Sequence, residues 1–281
     1  MAITRTDLGH GVGLRPKHFG RFSESRPPVD WVEATSENFM APGGRPLAVL
    51  EKVRRDIPVV LHGVSLAIGA VDPLNANYLT DLHDLIRRIE PALVSDHLCW
   101  GSHSGRYAHD LWPLPYTEEA VAHVVARLAV VQEALGRQIS VENVSSYVSY
   151  RDSTMPEWEF LAAVAEQADC GILLDVNNVY VSSKNHGFDS REYIAGVPAS
   201  RVVEIHLAGH TDKGTYLLDS HDTAVVSDVW DLYGYALEQV GRVPTLIEWD
   251  DQIPELDVLV AESRKAASVE AQVLGRRAVG T

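Results

Sequence analysis

Short apolar runs recur along the chain, with amphipathic segments between them. The runs fall at residues 11–14, 31–34, 58–62, 92–95, 138–142, 171–175, 202–206 and 245–248. Most are continuously apolar rather than alternating, the pattern of strands in a parallel sheet covered on both faces. Between them, 75–89 carries Leu79, Leu82, Leu85, Ile86 and Ile89 at helical spacing and stops before Pro91. Thr117 opens a second helix through Val121, Val124, Val125, Leu128 and Val131 to Gly136, and 157–168, 227–240 and the tail from Glu255 read as helices too. Eight strands alternating with helices in 281 residues predict an α/β protein, a single (β/α)8 TIM barrel spanning 1–281. An open doubly wound sheet would carry a glycine-rich phosphate loop after its first strand, and Gly9-His-Gly-Val-Gly13 lacks that continuation.

Composition narrows the class. A hydrophobic fraction of 46% supports a buried core and excludes intrinsic disorder. No apolar stretch approaches the roughly 20 residues that span a bilayer, and residues 1–25 hold no secretory apolar segment. Two cysteines, Cys99 and Cys170, exclude a disulfide framework and point to a reducing, cytoplasmic setting. With 24 Lys+Arg against 39 Asp+Glu, the net charge is −15, which argues against nucleic acid and membrane surfaces as partners.

Six consecutive runs end in a group able to bind a metal or move a proton: His62, Asp96-His97, Glu142-Asn143, Asp175, His206 and Glu248-Trp-Asp250. In a barrel these ends meet at the C-terminal rim around one centre. Three imidazoles with three carboxylates suit a borderline divalent metal rather than calcium or magnesium. Crowded carboxylates need cations between them, and six candidate ligands suit two ions sharing a carboxylate better than one ion. After the seventh run come His210 and the loop Asp219-Ser-His221-Asp222, where Asp and His could reach one further ion. Glu33, Glu37 and Asn38 near the second run could cap a turn or enter the site, and Trp249 could wall it.

Taken in order, Gly13-Leu-Arg, Glu37-Asn38, Leu61-His-Gly-Val-Ser65, Ser95-Asp-His97, Val141-Glu-Asn143, Leu174-Asp-Val-Asn-Asn178, Glu204-Ile-His-Leu-Ala-Gly-His210, Asp219-Ser-His221 and Leu246-Ile-Glu-Trp249 resemble the multinuclear non-haem iron-dependent oxidative enzymes. The resemblance covers nearly the whole chain. It implies a xylose-isomerase-like TIM barrel with two or three irons, mixed Fe(II)/Fe(III), at its mouth and O2 as co-substrate. It also implies a ribosomally made precursor peptide as substrate, modified in general at cysteine, and a separate partner protein that recognises the leader. Carried over residue by residue, His62, His97 and Glu142 would hold one iron, and Glu142 would bridge to a second held by Asp175, His206 and Glu248. Asp219 and His221, with Asn177, match the third-iron ligands, and His210 fits the same motif. Ser220 stands where the family pattern has Thr. Sugar isomerases or epimerases, zinc endonucleases of abasic DNA and a metal-buffering or scaffold role are the rival readings. The chain shows no Lys/Arg cluster for a DNA-binding groove and no recognisable appended peptide-binding domain.

Overall fold

The computed structural model describes residues 5–279. Eight parallel strands close into a barrel: β1 (His10–Gly13), β2 (Trp31–Thr35), β3 (Val59–Gly63), β4 (Val94–His97), β5 (Ser140–Glu142), β6 (Gly171–Asp175), β7 (Val202–Leu207) and β8 (Thr245–Ile247). Each pairs with the next, and His10 opposite Thr245 closes the ring. All eight expected strands are present, with boundaries shifted by at most two residues. The barrel expected from the alternation of elements is the observed fold.

Helices cover the outside: α1 (Phe19–Glu24), α2 (Arg45–Arg54), α3 (Ala76–Ile89), α4 (Glu118–Leu135), α5 (Glu157–Gln167), α6 (Val176–His186), α7 (Ser190–Gly196), α8 (Ser227–Val240) and α9 (Leu256–Val279). Their starts follow local chemistry. Asn75 accepts from Asn77 N and Tyr78 N to cap α3, and Thr117 accepts from Ala120 N to cap α4. Glu90 and Gly136, both left-handed, end those two helices.

Inside the barrel, Trp31, Val60, Leu93, Val203 and Leu246 pack together as an apolar floor. Gly11 makes room for it, since a Cβ there would lie 2.5 Å from the Trp31 ring. Strand side chains repeat every second residue on one face. The floor therefore places Glu33 two residues above Trp31, His62 above Val60, and Glu248 above Leu246. Ser95 and then His97 follow Leu93 in the same way.

Two antiparallel hairpins follow β4 and β7: Trp100–His103 with Arg106–Trp112, and Thr211–Asp212 with Leu217–Leu218. The first turns at Ser104 and Gly105, both at positive φ as a tight hairpin requires. No helix of the described residues is long and apolar enough to cross a membrane.

A candidate metal centre at the barrel mouth

Strand register assembles the site. His97 on β4 lies opposite Glu142 on β5, and Asp175 on β6 opposite His206 on β7. Glu142 Oε2 sits 3.1 Å from both His62 Nε2 and His97 Nε2, and the two imidazole nitrogens are 3.4 Å apart. Its other oxygen is 3.7 Å from His206 Nδ1, which in turn lies 3.1 Å from Glu248 Oε2. His62, His97 and Glu142 thus form one group of convergent ligand atoms, and Glu142, Asp175, His206 and Glu248 a second. Glu142 belongs to both.

These groups fit metal ions. Bonds of about 2.1 Å from one ion put neighbouring ligand atoms about 3.0–3.4 Å apart, close to the separations in the first group. Glu142 Oε2 and Asp175 Oδ2 are buried without a hydrogen-bond partner, an arrangement that is costly unless a cation meets them. Asp175 uses its other oxygen to cap α6, accepting from Asn178 N at 2.6 Å, so the junction of strand and helix fixes where the free oxygen sits.

The imidazoles are turned by partners on their outer sides. His97 Nδ1 donates to the Gly63 carbonyl at 3.0 Å, which leaves the Nε2 lone pair facing Glu142. His206 Nε2 donates to Glu33 Oε2 at 3.1 Å and leaves Nδ1 facing Glu248. His62 Nδ1 meets Ser95 Oγ at 2.8 Å. Hydrogen bonding the outer nitrogen fixes tautomer and ring orientation in metal-binding histidines.

Titration follows the crowding. Burial opposes protonation of His62, yet Glu142 and Glu33 outweigh it and lift the imidazole to about 10. His206 is lifted well above its usual value by Glu33 and Glu248, again against burial. Burial pushes Asp175 well above the usual carboxylate range and Glu204 up to about 7. Protonation is favoured on His62 and His206, beside the carboxylates, and disfavoured on buried His97; a divalent cation would take over the charge balance when it displaces those protons.

A third set lies on the loop after β7. His221 Nε2 is 2.6 Å from Asp219 Oδ1, and its Nδ1 is 3.3 Å from both Glu248 Oε2 and Asp250 Oδ2. Asn177 donates to Asp219 Oδ1 at 2.8 Å, while its own Oδ1 lies 2.8 Å from His210 Nδ1. The residues expected to form a third site are therefore linked in one network that reaches the main cluster through His221 and Glu248. His221 holds a φ of 44°, uncommon for a residue with a side chain.

The remaining candidates separate. Glu37 accepts from Val64 N at 2.9 Å and Tyr78 Oη at 2.7 Å, walling a cavity beside the cluster. Asn38 is exposed at the end of a short 3-10 turn. Trp249 is buried, and its carbonyl accepts from Arg15 Nε.

Two participants escaped the sequence reading. Glu204 lies 3.5 Å from His206 Nε2, forming with Glu33 a carboxylate layer beneath the cluster. Its position two residues before His206 carried the signal, whereas the reading followed strand ends. Arg15, after β1, ion-pairs with Asp250 and lies 3.6 Å from Glu248 Oε1. Arg15 stands in the Gly13-Leu-Arg run that carries the resemblance, but nothing in that run gave it a role at the site.

D-psicose 3-epimerase from Clostridium cellulolyticum H10 superposes with a TM-score of 0.63 at 12% identity, covering 95% of this chain and 99% of that one. An L-ribulose 3-epimerase gives 0.64 at 15%, covering 98% and 97%. At such identities these show the fold, a xylose-isomerase-like TIM barrel. A UPF0276 protein of Anaeromyxobacter sp. (strain Fw109-5) is 69% identical over 274 residues, 98% of this chain and 97% of that one. One of Caulobacter vibrioides (strain NA1000 / CB15N) is 51% identical over 255 residues, 90% and 91% of the two chains. Residues 9–271 match the family described as RiPP precursor modification enzyme MbnB/TglH/ChrH, a span that includes every residue of the three ligand sets, and the chain belongs to that enzyme family.

Proposed function

We propose that this protein is an iron-dependent, O2-using oxidoreductase that modifies a cysteine of a ribosomally made precursor peptide. It would hold two or three irons of mixed Fe(II)/Fe(III) state. The observation that carries the reading is the placement of Glu142. One of its oxygens faces His62 and His97 and the other faces His206, as a carboxylate shared between two ions would. Imidazole and carboxylate together suit iron, manganese or zinc, and the family's action on precursor peptides favours a redox metal over the zinc of an endonuclease.

His62, His97 and Glu142 would hold one ion, and Glu142, Asp175, His206 and Glu248 the next. Asp219 and His221, with Asn177 and His210 behind them, would hold a third. Bound iron would supply the one-electron and O2 chemistry that no side chain offers. The chain's own share is geometric and electrostatic. Ser95, the Gly63 carbonyl and Glu33 aim the three imidazoles, so little rearrangement accompanies binding. Arg15 neutralises the outer edge of Glu248 and Asp250. The apolar floor closes the lumen to water from below. A separate protein would tether the leader and raise the local concentration of the reacting cysteine.

Metal analysis of protein purified without added metal tests the iron. Two or more equivalents of iron support the reading, and zinc alone overturns it. Mass spectrometry of a Cys-containing precursor encoded beside this chain, incubated with and without O2, tests the oxidation. The same assay with and without the neighbouring gene product tests the tether, which equal rates would refute.

A further inference from the structure

Three concavities are linked to one another by shared lining residues. The first, of 680 Å³, lies between Glu37, Tyr78, Cys99 and the Asp110–Leu111 edge of the first hairpin. The second, of 610 Å³, shares Asp110 and Leu111 and continues to Tyr147, Tyr216 and Asp219, next to the candidate third ion site. The third, of 350 Å³, shares Val148 with the second and is walled by Tyr116, Trp158 and Phe188 over Glu157. Each is within the roughly 300–1,000 Å³ that takes a whole small ligand. Three adjoining concavities suit a chain better than a single sugar-sized molecule.

Two further observations describe the occupant. Among the described residues, the exposed large apolar side chains are Val64, Val71, Val130, Tyr147, Val148, Tyr216 and Val258. Four of these, Val64, Tyr147, Val148 and Tyr216, line the groove. Apolar exposure concentrated in one concavity marks a binding surface. Among the described lining residues, every Asp, Glu, Lys or Arg is an acid: Glu37, Asp110, Asp219 and Glu157. With Glu157 raised to about 7 by burial, the negative charge comes from Glu37, Asp110 and Asp219, and the first two lobes attract cations and repel anions.

We infer that the groove is the track for an extended segment of the precursor peptide flanking the modified residue, and that it selects a segment carrying basic and aromatic side chains. The inference rests on the peptide substrate of the proposed function. Tyr147 and Tyr216, ring centroids 6.1 Å apart and edge to face, pack on each other and form an aromatic wall of the second lobe together with Asp219. The third lobe takes an apolar or aromatic side chain beyond them. An acidic segment is turned away from the groove and has to be held elsewhere.

The test is binding, read without turnover. Two fluorescein-labelled, Cys-centred synthetic peptides are compared by anisotropy on the full chain as purified. One has Lys and Trp flanking the cysteine, and the other has Glu in place of every Lys. The Lys/Trp peptide should bind roughly tenfold more tightly, with an advantage that shrinks as salt screens it. Asp110 is exposed on the hairpin, so Asp110→Lys should leave the melting temperature unchanged while weakening the Lys/Trp peptide and strengthening the Glu peptide. Tyr216→Ala should weaken both. Equal affinities, no binding by either peptide, or a charge reversal that moves neither overturns the assignment of the groove. Iron content and O2-dependent product would be untouched by that failure, so the two readings fall separately.

Discussion

Gly63, directly after His62, bears on the site through space alone. Its φ is not positive, so alanine meets no backbone penalty there. A Cβ on it would lie 2.2 Å from Asp96 Oδ2 and 3.0 Å from the Tyr78 hydroxyl, against a floor near 3.0 Å that real Cβ contacts observe. Asp96 would have to retreat by about 1 Å. That carboxyl is held by Leu66 N at 3.3 Å and His97 N at 2.9 Å, so its retreat pulls on the His97 backbone. The Gly63 carbonyl, which orients His97 Nδ1, moves with it. Overpacking of this kind costs about 1–3 kcal/mol. Disturbing the partner that orients a metal-binding histidine typically costs about 10–100-fold in affinity. Gly63→Ala should therefore lower both urea stability of the metal-free protein and its affinity for metal, measured by competition with a chromophoric chelator. Gly43→Ala, with open space around its Cβ, is the matched control and should change neither. If Gly63→Ala kept wild-type affinity while losing stability, the coupling from Asp96 through Gly63 to His97 would be refuted.

Glu142→Ala should remove more than one equivalent of bound metal, because it serves both inner groups. Loss of a single equivalent in elemental analysis, with a coupled pair still visible by Mössbauer spectroscopy, would end the bridging assignment. Replacing both Asp219 and His221 with Ala should leave the two inner ions and remove only a third, more weakly held one, since these residues sit on a loop. Unchanged metal content would make that loop structural. Burial raises Glu157 to about 7, above its unfolded value, so its folded form binds the extra proton between about pH 4.5 and 7. Its contribution is fully present below pH 4.5 and lost as pH rises through 7. Glu157→Gln should therefore stabilise the protein by roughly 1–3 kcal/mol at pH 8 and by much less at pH 5, read as a pH-dependent shift in melting temperature. An equal shift at both pH values would place the effect elsewhere.

The eight strands, their order and the residues at their ends were legible in the chain, because parallel strands covered on both faces must be apolar and must then break into polar loops. That pattern picked out His62, His97, Glu142, Asp175, His206 and Glu248 without coordinates, the Asp-x-His spacing of the loop after the seventh run added Asp219 and His221, and the family resemblance added Asn177. What no local pattern contained was the distance between strands far apart in sequence. That Glu142 faces three imidazoles at once follows from barrel closure and register. Glu204 joins His206 only because the two share the inner face of β7, and Arg15 reaches Glu248 only because β1 pairs with β8. Asn38 went the other way, since its neighbour Glu37 turns inward while it stays in solvent. The first hairpin was missed because its short, largely polar strands lack the apolar run that marks a barrel strand, although Ser104-Gly105 signals its turn. Sequence patterns record which side chains must be buried, whereas the groove and the shared carboxylate depend on which loops and strands meet when the sheet closes.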